Sequence, residues 1–253
     1  MNIDELRAAF NLSETVVEHI RNFRRNRAEV IKEDQHEEVP VLLRSGVRLV
    51  VQAIPFSFNE PNTFVDLSIF NSHPLAAEWV RKASLHTGRY NLNGYMLTIG
   101  SQNDAAGYLQ VFRNGVIEGV KVGYQTFTTT KETTQRLSLT ALEDTILEFI
   151  SKALFIQNNL NIQVPLVIMV SLLNAKDHIL VAGNRLSEDL DWEERFTAGQ
   201  NTILFPDIVF ELYEHDPKVV MKPIFEMLWN MGGWGGSQSY DENGNWKQNR
   251  GRR

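Results

Sequence analysis

The 253-residue chain has no cysteine. That excludes a disulfide framework, thiolate metal sites and a cysteine nucleophile, and it points to a reducing compartment, the cytoplasm. Long apolar runs are also missing. The longest, residues 164–173, is interrupted by Pro165 and Ser171 and falls well short of the roughly 20 residues that span a bilayer. The opening residues carry Asp4 and Glu5 and no apolar h-region, so they do not read as a secretory signal. No membrane partner is expected. Excess positive charge is lacking too: a formal net charge of -6 argues against a chain built mainly to neutralise phosphates.

Recognisable catalytic motifs are equally scarce. There is no G-x-x-x-x-G-K-[ST] loop, no strand leading into G-x-G-x-x-G, and no G-x-S-x-G elbow. The six histidines, at 19, 36, 73, 86, 178 and 215, never fall in the His-x-x-x-His spacing that sets two ligands on one helical face. No catalytic residue, no metal ligand and no cofactor is therefore assigned. Gly232-Gly233-Trp234-Gly235-Gly236 follows a helical pattern instead of opening one, which argues against a phosphate-binding role.

What is present reads as an α+β fold with a mixed, largely antiparallel sheet, packed helices and an N-terminal helical hairpin. The expected organisation is a helical segment over residues 1–38, one α+β domain over 39–246 and a basic, disordered tail over 247–253. In the first segment, one helix covers residues 3–10 and a second starts at Ser13, with Val16, Ile20, Phe23, Val30 and Ile31 at helical spacing. Strands are expected over residues 47–54, 90–99, 107–113 and 116–125, with Asn114-Gly115 as a two-residue hairpin loop between the last two. A short helix is expected over residues 74–81, opened by Pro74. From Thr140 a long helix carries an apolar stripe through Leu142, Ile146, Phe149 and Ile150, with Glu143, Asp144 and Glu148 facing water. Residues 165–173 read as a strand buried on both faces, and 203–205 and 208–213 as two more. Asp216-Pro217 caps a last helix that runs to Gly232.

Two groups of side chains stand out as candidate contact surfaces. Arg21, Arg24, Arg25 and Arg27 crowd one helix and could meet nucleic-acid phosphate or an acidic partner; the alternative is a solvated face balanced by Glu14, Glu18 and Glu29. Trp229, Trp234, Tyr240 and Trp246 place four large rings in eighteen residues, too much aromatic surface for a loose tail. Those rings either pack on the domain's own core or serve as interface anchors. If the chain were a hydrolase or a metal-dependent nuclease, its polar residues would have to converge around Arg89, Tyr90, Arg113, Asn114 and Glu118.

Several stretches carry a resemblance: Ala9-Phe10-Asn11-Leu12-Ser13-Glu14 running into Ile20-Arg21-Asn22-Phe23-Arg24, the strand from Leu49 to Pro55, and Gly107-Tyr108-Leu109-Gln110-Val111-Phe112-Arg113-Asn114-Gly115. Val170-Ser171-Leu172-Leu173, Leu228-Trp229-Asn230 and Tyr240-Asp241-Glu242-Asn243-Gly244-Asn245-Trp246 continue it. With these residues in this order, the chain resembles the conserved C-terminal domain of bacterial AlbA-type, Schlafen-like DNA-binding proteins, without their N-terminal Schlafen-like domain. The resemblance implies a companion DNA-binding module as partner, in cis or in trans, and no assigned reaction or catalytic residue. The resulting expectation is a non-catalytic sensing, oligomerisation or effector-coupling domain, with bacterial defence as its setting, that forms a homo-oligomer and leaves nucleic-acid contact to the companion. A nuclease or other hydrolase and direct nucleic-acid binding through the arginine helix are the alternatives.

Overall fold

The computed structural model describes residues 3–33, 37–61, 63–72, 88–123, 126–128, 133–182 and 197–247, with side chains from residue 14 onward except at 71–72, 126–128 and 133–134. Its first element is a single helix, α1 (Ile3–Lys32), where the sequence suggested a hairpin of two. Neither glycine nor proline occurs before Pro40, so nothing interrupts the helical backbone at Asn11 or Ser13. At its far end the free carbonyls are captured by side chains. The Arg48 guanidinium donates to the carbonyls of Ile31 and Glu33, and Asn174 Nδ2 donates to that of Lys32 at 3.1 Å.

Strand β1 (Arg48–Pro55) follows, then a 3-10 turn (Phe56–Asn59) and a short helix, α2 (Ile69–Ser72). The expected strand over 90–99 is two strands, β2 (Gly88–Asn91) and β3 (Gly94–Ser101), because Leu92-Asn93 turns the chain. Asn91 Oδ1 accepts from Gly94 N at 2.8 Å and closes that turn. Strands β4 (Asp104–Phe112) and β5 (Ile117–Val122) form the predicted hairpin, but with a three-residue loop. Gly115 N donates to the Phe112 carbonyl and Gly115 has φ +83°, a type I turn followed by a left-handed residue.

Next come β6 (Thr126–Thr128), β7 (Thr133–Ser138) and the long helix α3 (Leu139–Asn159), whose Ser138 hydroxyl accepts from Ala141 N as an N-cap. Strand β8 (Leu166–Leu173) is buried along its whole length, Ser171 included, as its apolar character implies. After β9 (Ile179–Val181), β10 (Thr202–Leu204) and β11 (Ile208–Phe210), the expected last helix is split into α4 (Pro217–Val220), capped by Asp216, and α5 (Lys222–Met231). The helix expected over 74–81 lies outside the described residues, as do residues 248–253 of the expected tail. Lys247 is no part of a loose tail: its backbone N donates to Ser239 O at 2.8 Å.

The main sheet runs β10-β8-β1-β5-β4-β3-β2, with β11 beside β10 on the same edge of β8, and every pairing in it is antiparallel. A smaller sheet, β6-β7-β9, includes one parallel pair. Alternation along β1 sends Leu49, Val51 and Ala53 to one face, where they join Leu142, Ile146, Phe149 and Ile150 of α3 in the larger core. Val50 and Ile54 point the other way, to smaller cores that include Ile20, Ala28 and Ile31 of α1. Helix α1 is therefore a layer of the domain and not a separate segment.

Candidate functional site

The polar groups beneath α1 follow from periodicity. Ile20, Arg24, Arg27 and Ile31 recur at three- and four-residue steps, so one stripe of the helix carries two arginines into the sheet along with its isoleucines. Opposite them, Gln52, Gln110 and Glu118 share the face of Val50 and Val120, since Gln52 pairs with Glu118 across β1 and β5, and Gln110 with Glu118 across β4 and β5. Arg27 meets the fully buried Glu118 as a fork, Nε to Oε2 at 3.0 Å and Nη2 to Oε1 at 2.8 Å. The Tyr108 hydroxyl donates to Oε1 at 2.7 Å and Gln52 Nε2 to Oε2 at 2.8 Å, so four donors surround one carboxylate. Burial alone would lower the Arg27 pKa, but the Glu118 charge reverses that and raises it. Burial and the Glu118 charge also push the Tyr108 hydroxyl well above the usual tyrosine range.

Arg24 is buried in its own cradle. It donates to Ser171 Oγ at 3.1 Å, to Phe205 O at 2.7 Å and to Val170 O at 2.5 Å, and faces Asp207 at 3.3 Å. Burial lowers its pKa despite the attraction of Asp207. Asp207 also holds Arg21 at 2.8 Å. Of the four arginines proposed as a contact surface, Arg24 and Arg27 are thus internal, Arg21 is exposed in an ion pair, and Arg25 is exposed. They do not form one basic face.

The C-terminal rings are docked on the chain's own core. Trp229 is fully buried and donates Nε1–H to Glu143 Oε1 at 2.8 Å, while the ring of Trp234 meets it edge-on at 5.4 Å. Gly232 makes room for that ring, since a Cβ there would lie 2.2 Å from it. Tyr240 and Trp246 pair across a β-bridge with ring centroids 5.1 Å apart, and the Tyr240 hydroxyl donates to Lys218 O at 2.5 Å. Glu143, expected to face water, is instead fully buried: Ser237 Oγ and Ser239 Oγ also donate to it. The helix α3 stripe is wider than its apolar residues suggest because the returning C-terminal segment covers Glu143 and supplies its donors. Asp144 and Glu148 are exposed as expected.

An open cleft of about 370 Å³ lies at the end of the sheet where the β2-β3 and β4-β5 turns come together. Arg113 N donates to Asn93 O at 2.9 Å and Val65 N to Arg113 O at 2.8 Å, so backbone bonds join both turns to the segment carrying Phe64. Phe58 and Phe112 line it, and Phe23 of α1 touches both rings edge-on, at 5.7 and 6.1 Å. His19, also on α1, holds the Asn59 carboxamide at 3.0 Å. The walls include Arg113, Asn93, Asn114 and Glu60.

The five residues that a hydrolase would need together are dispersed. Arg113 and Asn114 line the cleft, Arg89 donates to Pro40 O at 3.0 Å, the Tyr90 hydroxyl donates to Leu67 O at 3.0 Å, and Glu118 is buried beneath α1. Among the described residues, Glu60 is the one carboxylate lining this cleft and no three His, Asp or Glu side chains gather as metal ligands. No described helix is long and apolar enough to cross a membrane. His178 is buried with Nδ1 against the carbonyls of Ala175 and Lys176, whereas His36, His73 and His86 lie outside the described residues. Sequence reasoning missed Gln52, Tyr108 and Glu143 as members of buried networks, and missed the cleft. The arginine stripe was legible in the spacing of Ile20, Arg24, Arg27 and Ile31; the cleft, formed by separate turns, was not. No protein-family model, curated protein or solved structure matches the chain.

Proposed function

We propose that the chain is a non-catalytic sensing, oligomerisation or effector-coupling domain that works with a Schlafen-like DNA-binding module, with α1 as the coupling element. The observation that carries this reading is the dual role of α1. Its Arg24 and Arg27 are fastened into the sheet, and its Phe23 and His19 support the walls of the open cleft. A change at the cleft would therefore bear directly on one long helix, the kind of rigid element through which a domain moves a neighbour. Glu118 and Glu143 support it as well, because both carboxylates are enclosed by donors instead of facing a substrate.

The companion module and a second copy of the chain are the partners on this reading, with nucleic acid contacted through the module. Light scattering on the chain alone and mixed with a Schlafen-like DNA-binding module tests it. A defined oligomer or a stoichiometric complex is expected; a strict monomer at high micromolar concentration that does not retain the module overturns it.

A further inference from the structure

The cleft is lined by groups that the fold leaves uncommitted. Arg113 donates Nε–H to Leu92 O at 3.1 Å, which anchors the inner edge of its guanidinium, while its two Nη groups have no partner among the described residues. The Asn93 carboxamide and the Glu60 carboxylate likewise have none, and both are exposed. Phe64, 77% exposed, presents a phenyl ring at the same opening. Beneath them Phe58 and Phe112 give an apolar floor braced by Phe23, so the site is formed before any ligand arrives.

Each of these groups has a counterpart in one chemical class. An exposed aromatic ring offers a stacking platform to any nucleobase, and a guanidinium plane can do the same. A carboxamide presents a donor and an acceptor side by side, the pattern that matches a base edge. A carboxylate accepts from ribose hydroxyls. Charge narrows the class further: Arg113 and Glu60 nearly cancel, so the cleft offers no net positive charge to hold a phosphate and an uncharged ligand fits better than a nucleotide. Cleft volume agrees, because about 370 Å³ suits a single small molecule and not an extended polymer.

We infer that the cleft binds a nucleoside, its base stacked on Phe64 and Arg113, its edge read by Asn93 and its ribose held by Glu60. This supplies the ligand for the sensing role and rests on that reading only for its purpose, since binding is measured on the chain alone and coupling requires the module. Titration calorimetry with adenosine, guanosine, cytidine and uridine, each followed by amide NMR, tests it. At least one nucleoside is expected to bind saturably and to shift the amides of Asn93, Arg113 and Gly115. Phe64→Ala and Arg113→Ala, both at exposed positions, are expected to weaken that binding roughly tenfold each, the loss of one stacking partner, with thermal melting unchanged. Absence of saturable binding by all four, or undiminished binding in both variants, overturns the inference. Adenosine monophosphate is expected to bind no tighter than adenosine; tighter binding overturns the assignment of an uncharged ligand.

Discussion

Glu118 shows how one side chain can fix the relation of a helix to a sheet. Its carboxylate accepts from Arg27, Tyr108 and Gln52, which belong to α1, β4 and β1, and it stands on β5. A buried ion pair of this kind contributes little net stability compared with apolar residues of the same shape, but removing one partner leaves the other buried and unpaired. Glu118→Leu is therefore expected to destabilise the domain by about 3–5 kcal/mol, whereas the double variant Arg27→Met with Glu118→Leu recovers part of that loss, the Tyr108 hydroxyl and the Gln52 carboxamide still lacking their acceptor. Urea unfolding of both proteins decides it; equal losses in the single and double variants would contradict the account. Arg25→Ala, on the exposed side of the same helix, is expected to change stability by less than about 0.5 kcal/mol.

Among the elements, the contact of α3 with the sheet depends on a residue that has no side chain. A Cβ added at Gly119 in β5 would lie 2.4 Å from the Phe149 ring of α3, so the ring sits directly on the strand backbone. Gly119→Ala must push the ring, the strand or the helix aside, at a cost of about 1–3 kcal/mol typical of overpacking. The compensating pair Gly119→Ala with Phe149→Leu is expected to be less destabilised than the glycine substitution alone. Thermal melts of the two variants check this, and a lower melting temperature for the pair would count against it. The hairpin that follows the same logic of space is β4-β5, where Gly115 both takes a left-handed backbone and faces Ile162 Cδ1 at 2.9 Å from a built Cβ.

At the scale of the whole molecule, α1 covers one face of the main sheet, and α3 with the C-terminal segment covers the other. Helix α1 is fastened at Glu118 and Ser171 on one side; on the other, Glu143 of α3 ties Trp229, Ser237 and Ser239 to the larger core. Both ends share buried surface with β1, β5 and β8, so neither has a core of its own. The chain is expected to unfold in one transition, with tryptophan fluorescence and far-UV circular dichroism giving coincident curves in denaturant. Separate midpoints for the two signals would show that an end unfolds independently.

Sequence by itself determined the elements whose signals are local: the α+β class, the buried strand β8, the long helix α3 to within a residue of its start, the β4-β5 hairpin and the Asp216 cap. Hydrophobic period and capping chemistry act within a few residues, so these can be read from neighbours alone. It also marked the C-terminal rings as docked or interfacial without choosing between them. Only the tertiary structure decided that Arg24 and Arg27 turn inward, that Glu143 is enclosed and that the β2-β3 and β4-β5 turns meet at a cleft. Each of those depends on partners far away in the chain: Arg27 lies 91 residues from Glu118, and Glu143 86 residues from Trp229. A charged side chain reads as solvated until a distant donor or acceptor covers it, because burial without that partner would cost more than the fold can supply.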